Sequence, residues 1–356
     1  MTRLFRTAPS RIDRRLLRIL GGGIICCFYL TAILADFLAP YDYRDQARRE
    51  PMAQPSAVRF RDADGDWHLR PRVCARLLTD PLQLRYEEDR SRCHPIRFWI
   101  RGYRYRFLFY FESDLHLFGV DGLGREDAPR AHLLGTDAVG RDRLSRLLIA
   151  TRFSLMVGPA GTILASLIGV VLGCIAGYTG RWLDAFLMRI VDLVMALPPL
   201  VMILAARATF PLELPPSRAA LLLIAIFVTL GWAEMARLTR SLVAELSERE
   251  FVLAAVSVGL PPWRVLYRHI LPNAAPLILA QALLMLPNFL LFETALSFLG
   301  VGLQEPDPSW GNLLAAAKDI TLLPADQALL LLAPALTIVV FVFGTRLLRD
   351  GLTPSS

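Results

Sequence analysis

The stretch Ala254–Asn273, AAVSVGLPPWRVLYRHILPN, decides how the rest of the chain is read. It holds two arginines, a histidine, a glycine and a Pro-Pro pair, yet it lies between two long apolar runs of the sequence. Gly259 can close one helix, because glycine tolerates a left-handed cap, and Pro261-Pro262 suits the first turn of another. A short helix from about Pro262 to His269 is expected to follow, ending before Pro272 because proline cannot continue the hydrogen-bond ladder. In that helix Trp263, Leu266 and Tyr267 share an apolar face, while Arg264 and Arg268 line another. Such a face fits either lipid headgroups or a groove on a partner protein, and composition does not separate the two.

The flanking runs set the class. The chain has 356 residues, 54% of them hydrophobic, and a mean hydropathy of +0.43, which is too apolar for a soluble domain of this size and marks a polytopic membrane protein. Runs of roughly 20 apolar residues, the length that crosses a bilayer core, number six: 19–39, 153–177, 183–205, 219–235, 274–296 and 328–348. Pro198-Pro199 interrupts the third and Glu234 the fourth. The first follows a basic lead (Arg3, Arg6, Arg11, Arg14, Arg15, Arg18) like that of a signal peptide, but no small-residue cleavage site follows, so it reads as an uncleaved helix. The expected fold is therefore all-α and polytopic, with about six transmembrane helices and a small extracytoplasmic mixed α/β insert. Its divisions are a cytoplasmic tail 1–18, the first helix 19–39, the insert 40–131, an amphipathic pre-core segment 132–152, a core 153–350 holding the loop 246–273, and a tail 351–356.

Sidedness follows from arginine placement. The positive-inside rule puts both termini in the cytoplasm, with YTGRW and 236–273 on the same side. The loop with Glu305, Asp307 and Asp319 against Lys318 falls outside; Arg207 and Arg218, flanking a short outer loop, run against the trend. Within the insert, YRYRF (Tyr103–Phe107) alternates as a half-exposed strand does, and DADGDW carries a hairpin turn. Asp62, Asp64 and Asp66 do not form a calcium loop, since Trp67 and Val73 stand where glycine and glutamate are needed.

Several chemistries are excluded. The net charge of +7 comes from arginines scattered beside apolar runs, with no nucleic-acid-binding motif. Lys318 is the only lysine, so no Walker A loop exists in the chain. The five histidines stand far apart without ligand-spaced partners, and no G-x-S-x-G elbow is present. Charges inside spans are costly and mark candidates for function. Asp192 and Glu234 lie near cytoplasmic ends, where snorkelling or pairing with Arg189 or Arg237 is expected; Glu293 lies deeper, with a packing or gating role expected. Cys26, Cys27 and Cys174 sit in apolar runs, whereas Cys74 and Cys93 lie in the long polar segment, where a disulfide and two free thiols are both open.

Spacing then connects these pieces. Ala254, Ala255, Gly259, Leu271 and Pro272 resemble the EAA loop, E-A-A-x3-G-x9-I-x-L-P, by which permeases of ATP-binding-cassette (ABC) importers dock on their ATPases. Leu253 replaces the glutamate and His269 the isoleucine; both departures resemble the dipeptide and oligopeptide branch, matched through Trp263, Arg268, His269 and Asn273. HLLGTDAVGRDRLSRLL, GYTGRWLDAFLMRIVDLVMALP, FETALSFLGVGLQEPDPSWG and LLRDGLTP resemble further segments of that branch in order. Val256 departs from a frequent arginine, and Pro261-Pro262 from a small polar pair. The resemblance implies the C-type permease of a peptide-class importer (or of the related nickel and opine importers). It would have no cofactor of its own, pair with a homologous permease, and work with two ATPases that bind ATP and magnesium and with a periplasmic solute-binding protein. Trp263 and Leu266 would then anchor in an ATPase groove, Arg264 and Arg268 would pair with its carboxylates, and Gly259 would set the bend. A secondary transporter would instead show inverted repeats and several midplane charges, which the sequence lacks.

Overall fold

The computed structural model describes residues 11–61, 67–80, 84–107, 110–120, 129–211, 213–316 and 332–352. The expected turn at 62–66 and the pair Lys318 and Asp319 lie outside them. The chain divides into two units, one of residues 1–27, 155–302 and 337–356, the other of residues 28–154 and 303–336.

The first unit is helical. It takes the start of α1 (Arg11–Ile33), most of α3 (Arg143–Thr179), then α4 (Arg181–Met195), α5 (Pro199–Ala208), α6 (Pro216–Ser247), α7 (Glu250–Ser257), α8 (Pro262–Val265) and α9 (Leu271–Phe298). Most of the terminal helix Ala333–Leu352 belongs to it too. Among the described residues four helices are long and apolar enough to cross a membrane: Arg14–Ile33, Arg143–Thr179, Pro216–Ser247 and Pro262–Phe298. The pair Trp182–Met195 and Pro199–Ala208, bent by 81°, makes a fifth if counted as one span.

Of the six spans expected from the sequence, four or five are found among the described residues. The third is broken because Pro198 and Pro199 have no N–H to offer the carbonyls of Val194 and Met195. The sixth begins outside the described residues, and its described part carries Arg346, Arg349 and Asp350 near its end.

Packing in this unit rests on close backbone approach. Gly169, Gly173 and Gly177 form a stripe on α3. A Cβ on them would fall 2.6 Å, 2.6 Å and 2.9 Å from the carbonyl oxygens of Trp232, Ala236 and Arg240 on α6. Small residues at this spacing let helices meet where lipid gives no hydrophobic drive between them. Further along, Phe227 of α6 and Phe289 of α9 stack with centroids 4.9 Å apart.

The second unit holds a four-stranded antiparallel sheet in the order β1 (Arg59–Arg61), β2 (Trp67–Asp80), β3 (Arg85–Phe107), β4 (Phe111–Val120). The first part of β3 pairs with β2 and the second with β4. YRYRF falls at the end of β3, as its alternation requires. Where a mixed α/β insert was expected, the described residues of 40–131 hold strands and no helix. Its apolar and arginine residues alternate at the strand period and never settle into a helical one. Val73, Ile96, Val120 and Ala131 form its small core. The sheet is tied to α2 (Ala35–Leu38) through His116, whose Nδ1 and Nε2 lie 2.9 Å and 3.0 Å from the carbonyl oxygens of Asp36 and Tyr103.

Candidate functional site

The 246–273 loop is built of two short helices and a bend. α7 ends in a Schellman motif: the Gly259 N–H donates to the Val256 carbonyl and the Leu260 N–H to that of Ala255. Gly259 sits at φ +84°, and a Cβ there would meet nothing within 4 Å, so glycine is needed for backbone conformation and not for space. Pro261 precedes α8 and Pro262 opens it, where a missing N–H is harmless.

The helix does not stop before Pro272. Leu266–Ile270 form a π turn, and the rod runs on from Pro262 to Phe298. Within the turn the Leu271 N–H reaches back to the Leu266 carbonyl, one residue further than an α-helix allows. The widened backbone accepts Pro272, and the Asn273 side-chain amide donates to the His269 carbonyl at 2.6 Å.

This register also corrects the expected apolar face. Val265 and Ile270, five residues apart at π spacing, are the buried pair; they join Val252, Ala255, Val243 and Cys174 in one core cluster. Leu266 and Leu271 pack against it half-buried. Trp263 and Tyr267 are left 63% and 73% exposed, with the Arg264 guanidinium 5.1 Å from the Trp263 ring. Ala254, Arg268 and Pro272 are exposed, and His269 is half-buried. Phe251, Leu253, Val256 and Val258 add apolar exposure that the sequence reading passed over.

Inside the spans, Asp192 pairs with Arg237, and Asp184 accepts two bonds from Arg240 at 2.9 Å and 2.6 Å. Glu234 is held from α9 by the Gln281 amide at 2.8 Å, and not by an arginine. Glu293 is fully buried and accepts from the Ser297 hydroxyl at 2.9 Å.

In the second unit two segments distant in sequence converge. His132 Nδ1 lies 2.8 Å from Asp142, whose other oxygen accepts the Ser145 N–H and hydroxyl, both at 2.7 Å. Arg146, buried to 1% side-chain exposure, sets one guanidinium nitrogen 2.7 Å and 2.9 Å from the Glu305 carboxylate oxygens, and Arg141 joins them at 2.6 Å. Trp310, fully buried, donates to Thr151 at 3.2 Å and meets Phe28 edge-on. Burial pushes the Tyr41 hydroxyl well above the usual tyrosine range, so it stays neutral and accepts the Ala131 N–H at 2.7 Å. A disulfide joins Cys74 and Cys93 across β2 and β3. No three His, Cys, Asp or Glu side chains gather as a metal site among the described residues.

Comparison with known proteins gives these features a class. Residues 169–355 match the family described as binding-protein-dependent transport system inner membrane component. Residues 11–55 match the N-terminal TM domain of oligopeptide transport permease C. The chain belongs to this family of membrane permeases, which are transport components and not ATPases. It is 37% identical over 237 residues to the dipeptide transport system permease protein DppC of Alkalihalophilus pseudofirmus, covering 67% of this chain and 70% of that one. It is 36% identical over 238 residues to the oligopeptide transport system permease protein OppC of Bacillus subtilis, with the same two shares.

Proposed function

We propose that the chain is the C-type permease subunit of an ABC importer for peptides or similar small solutes, coupled to its ATPases through the 246–273 loop. The observation that carries this is the loop's two-sidedness. Val252, Ala255, Val265 and Ile270 fasten it to its own core while Val258, Trp263 and Tyr267 stay exposed, as a surface shaped for a protein groove requires.

In this reading the chain has six spans with both termini in the cytoplasm and 40–131 outside the cytoplasm. It pairs with a homologous permease, two ATPases that bind ATP and magnesium, and a periplasmic solute-binding protein. Trp263 enters the ATPase groove, joined by Tyr267 in place of the half-buried Leu266, while Arg264 and Arg268 meet groove carboxylates. ATP-driven closure of the ATPases moves the loop as a rigid body and opens the pathway outward.

The test is the assembled complex in proteoliposomes carrying Trp263→Ala or Tyr267→Ala. A buried aromatic anchor is worth about 2 kcal/mol or more, so solute-stimulated ATP hydrolysis and uptake should fall together while the subunit still inserts. Unchanged stimulation in both variants would refute the reading.

A further inference from the structure

The structure points to a cation subsite where the broken span meets Glu234. Three features of the first unit converge there. Glu234 is an exposed carboxylate on a membrane-crossing helix. It closes the apolar run 219–235 of that helix, where the chain passes from hydrocarbon-compatible residues to the charged stretch beyond. A carboxylate there is costly against lipid and is retained where it faces protein or water. Gln281 supplies one hydrogen bond, leaving most of its acceptor sites open.

Glu234 also borders a cavity of about 170 Å³ walled by Met195, Leu197, Met202, Phe227, Met285 and Phe292. Glu234 and Asn288 are the polar side chains in the lining. The cavity sits on the 81° break. Val194 and Met195, which line it, lose their regular amide donors to Pro198 and Pro199. The C-terminal, negative end of α4 and the Glu234 side chain thus both border the cavity. Irregular backbone at membrane depth is tolerated where it lines a cavity, and broken helices mark binding sites.

We propose that this space receives the ammonium group of the transported solute, with the apolar wall taking the adjacent side chain. The proposal rests on the importer reading and assigns it a residue that recognises charge. Snorkelling of Glu234 to the headgroups does not account for Asn288, seven residues beyond Gln281 (288 − 281) on α9 and about 10 Å further along the helix.

The experiment uses the assembled complex with Cys26, Cys27 and Cys174 changed to Ser. Asn288→Cys and, separately, Met202→Cys are reacted with trimethylammonioethyl and with sulfonatoethyl methanethiosulfonate, each measured against the complex lacking the added cysteine. Both positions should react, and the ratio of cationic to anionic rates should fall about tenfold when Glu234→Gln is added. If one cysteine variant fails to assemble, the other decides. No reaction, or a ratio unmoved by Glu234→Gln, would overturn the proposal. Labelling does not require transport, so that result leaves the coupling reading standing, and loss of the coupling reading leaves the labelling result intact.

Discussion

Gly173 and Ala236 bring α3 and α6 into backbone contact. A methyl group on Gly173 would sit 2.6 Å from the Ala236 carbonyl oxygen and 2.6 Å from the Thr239 Cβ. Gly173→Val should therefore force the helices apart at a cost of about 1–3 kcal/mol. A lowered unfolding temperature in detergent checks this, with Gly22→Ala as the neutral comparison, since a Cβ there meets nothing within 4 Å.

Gly259 is a different case, because its constraint is φ and not room. Gly259→Ala should weaken the bend by about 1–2 kcal/mol, and Gly259→Asn by less, because asparagine visits the left-handed region more readily. With Gly259→Val added as the most strained variant, because a β-branched residue tolerates positive φ least, ordered loss of solute-stimulated ATP hydrolysis, with Val worse than Ala and Ala worse than Asn, would show that the cap geometry transmits the motion. Equal activity in all three would show that it does not.

Reducing the Cys74–Cys93 link, or replacing both cysteines with serine, frees a loop with a sequence separation of 19, worth about 3 kcal/mol of chain entropy. Limited proteolysis should then cut within 59–107 in the reduced protein and spare the helical unit. Identical cleavage with and without reductant would mean that the sheet stands without its cross-link.

Glu305→Ala should destabilise more than Glu245→Ala. The first removes the nearer carboxylate from a guanidinium with 1% side-chain exposure and leaves it Asp137 at 3.5 Å; weakening the pairing of a buried charge costs about 1–3 kcal/mol. The second breaks an exposed i,i+4 pair with Arg249, worth at most about 1 kcal/mol. Thermal unfolding of the two variants side by side measures the difference.

The class of fold was legible because hydrocarbon length is written directly into apolar runs, and the bend at Gly259 because its glycine and prolines have local backbone meanings. Pro272 misled, since a proline stops an α-helix but not one that has just opened into a π turn. Val265 and Ile270 escaped notice because their five-residue spacing matches no ordinary period. The bond from Gln281 to Glu234 was not legible, because it joins two helices and is tertiary. The meeting of Arg141 and Arg146 with Glu305 was likewise invisible, because the two segments are far apart in the chain.

The π turn at Leu266–Ile270 makes the rod from Pro262 to Phe298 a phased lever. Each residue of α-helix turns a side chain by about 100°, so one extra residue in the turn sets the azimuth of Trp263 and Tyr267 relative to everything that α9 touches inside the membrane. Deleting a single residue there would keep the rod unbroken and its composition almost unchanged, yet swing both rings to another side. The angular setting of the exposed aromatic face is thus stored in one surplus residue.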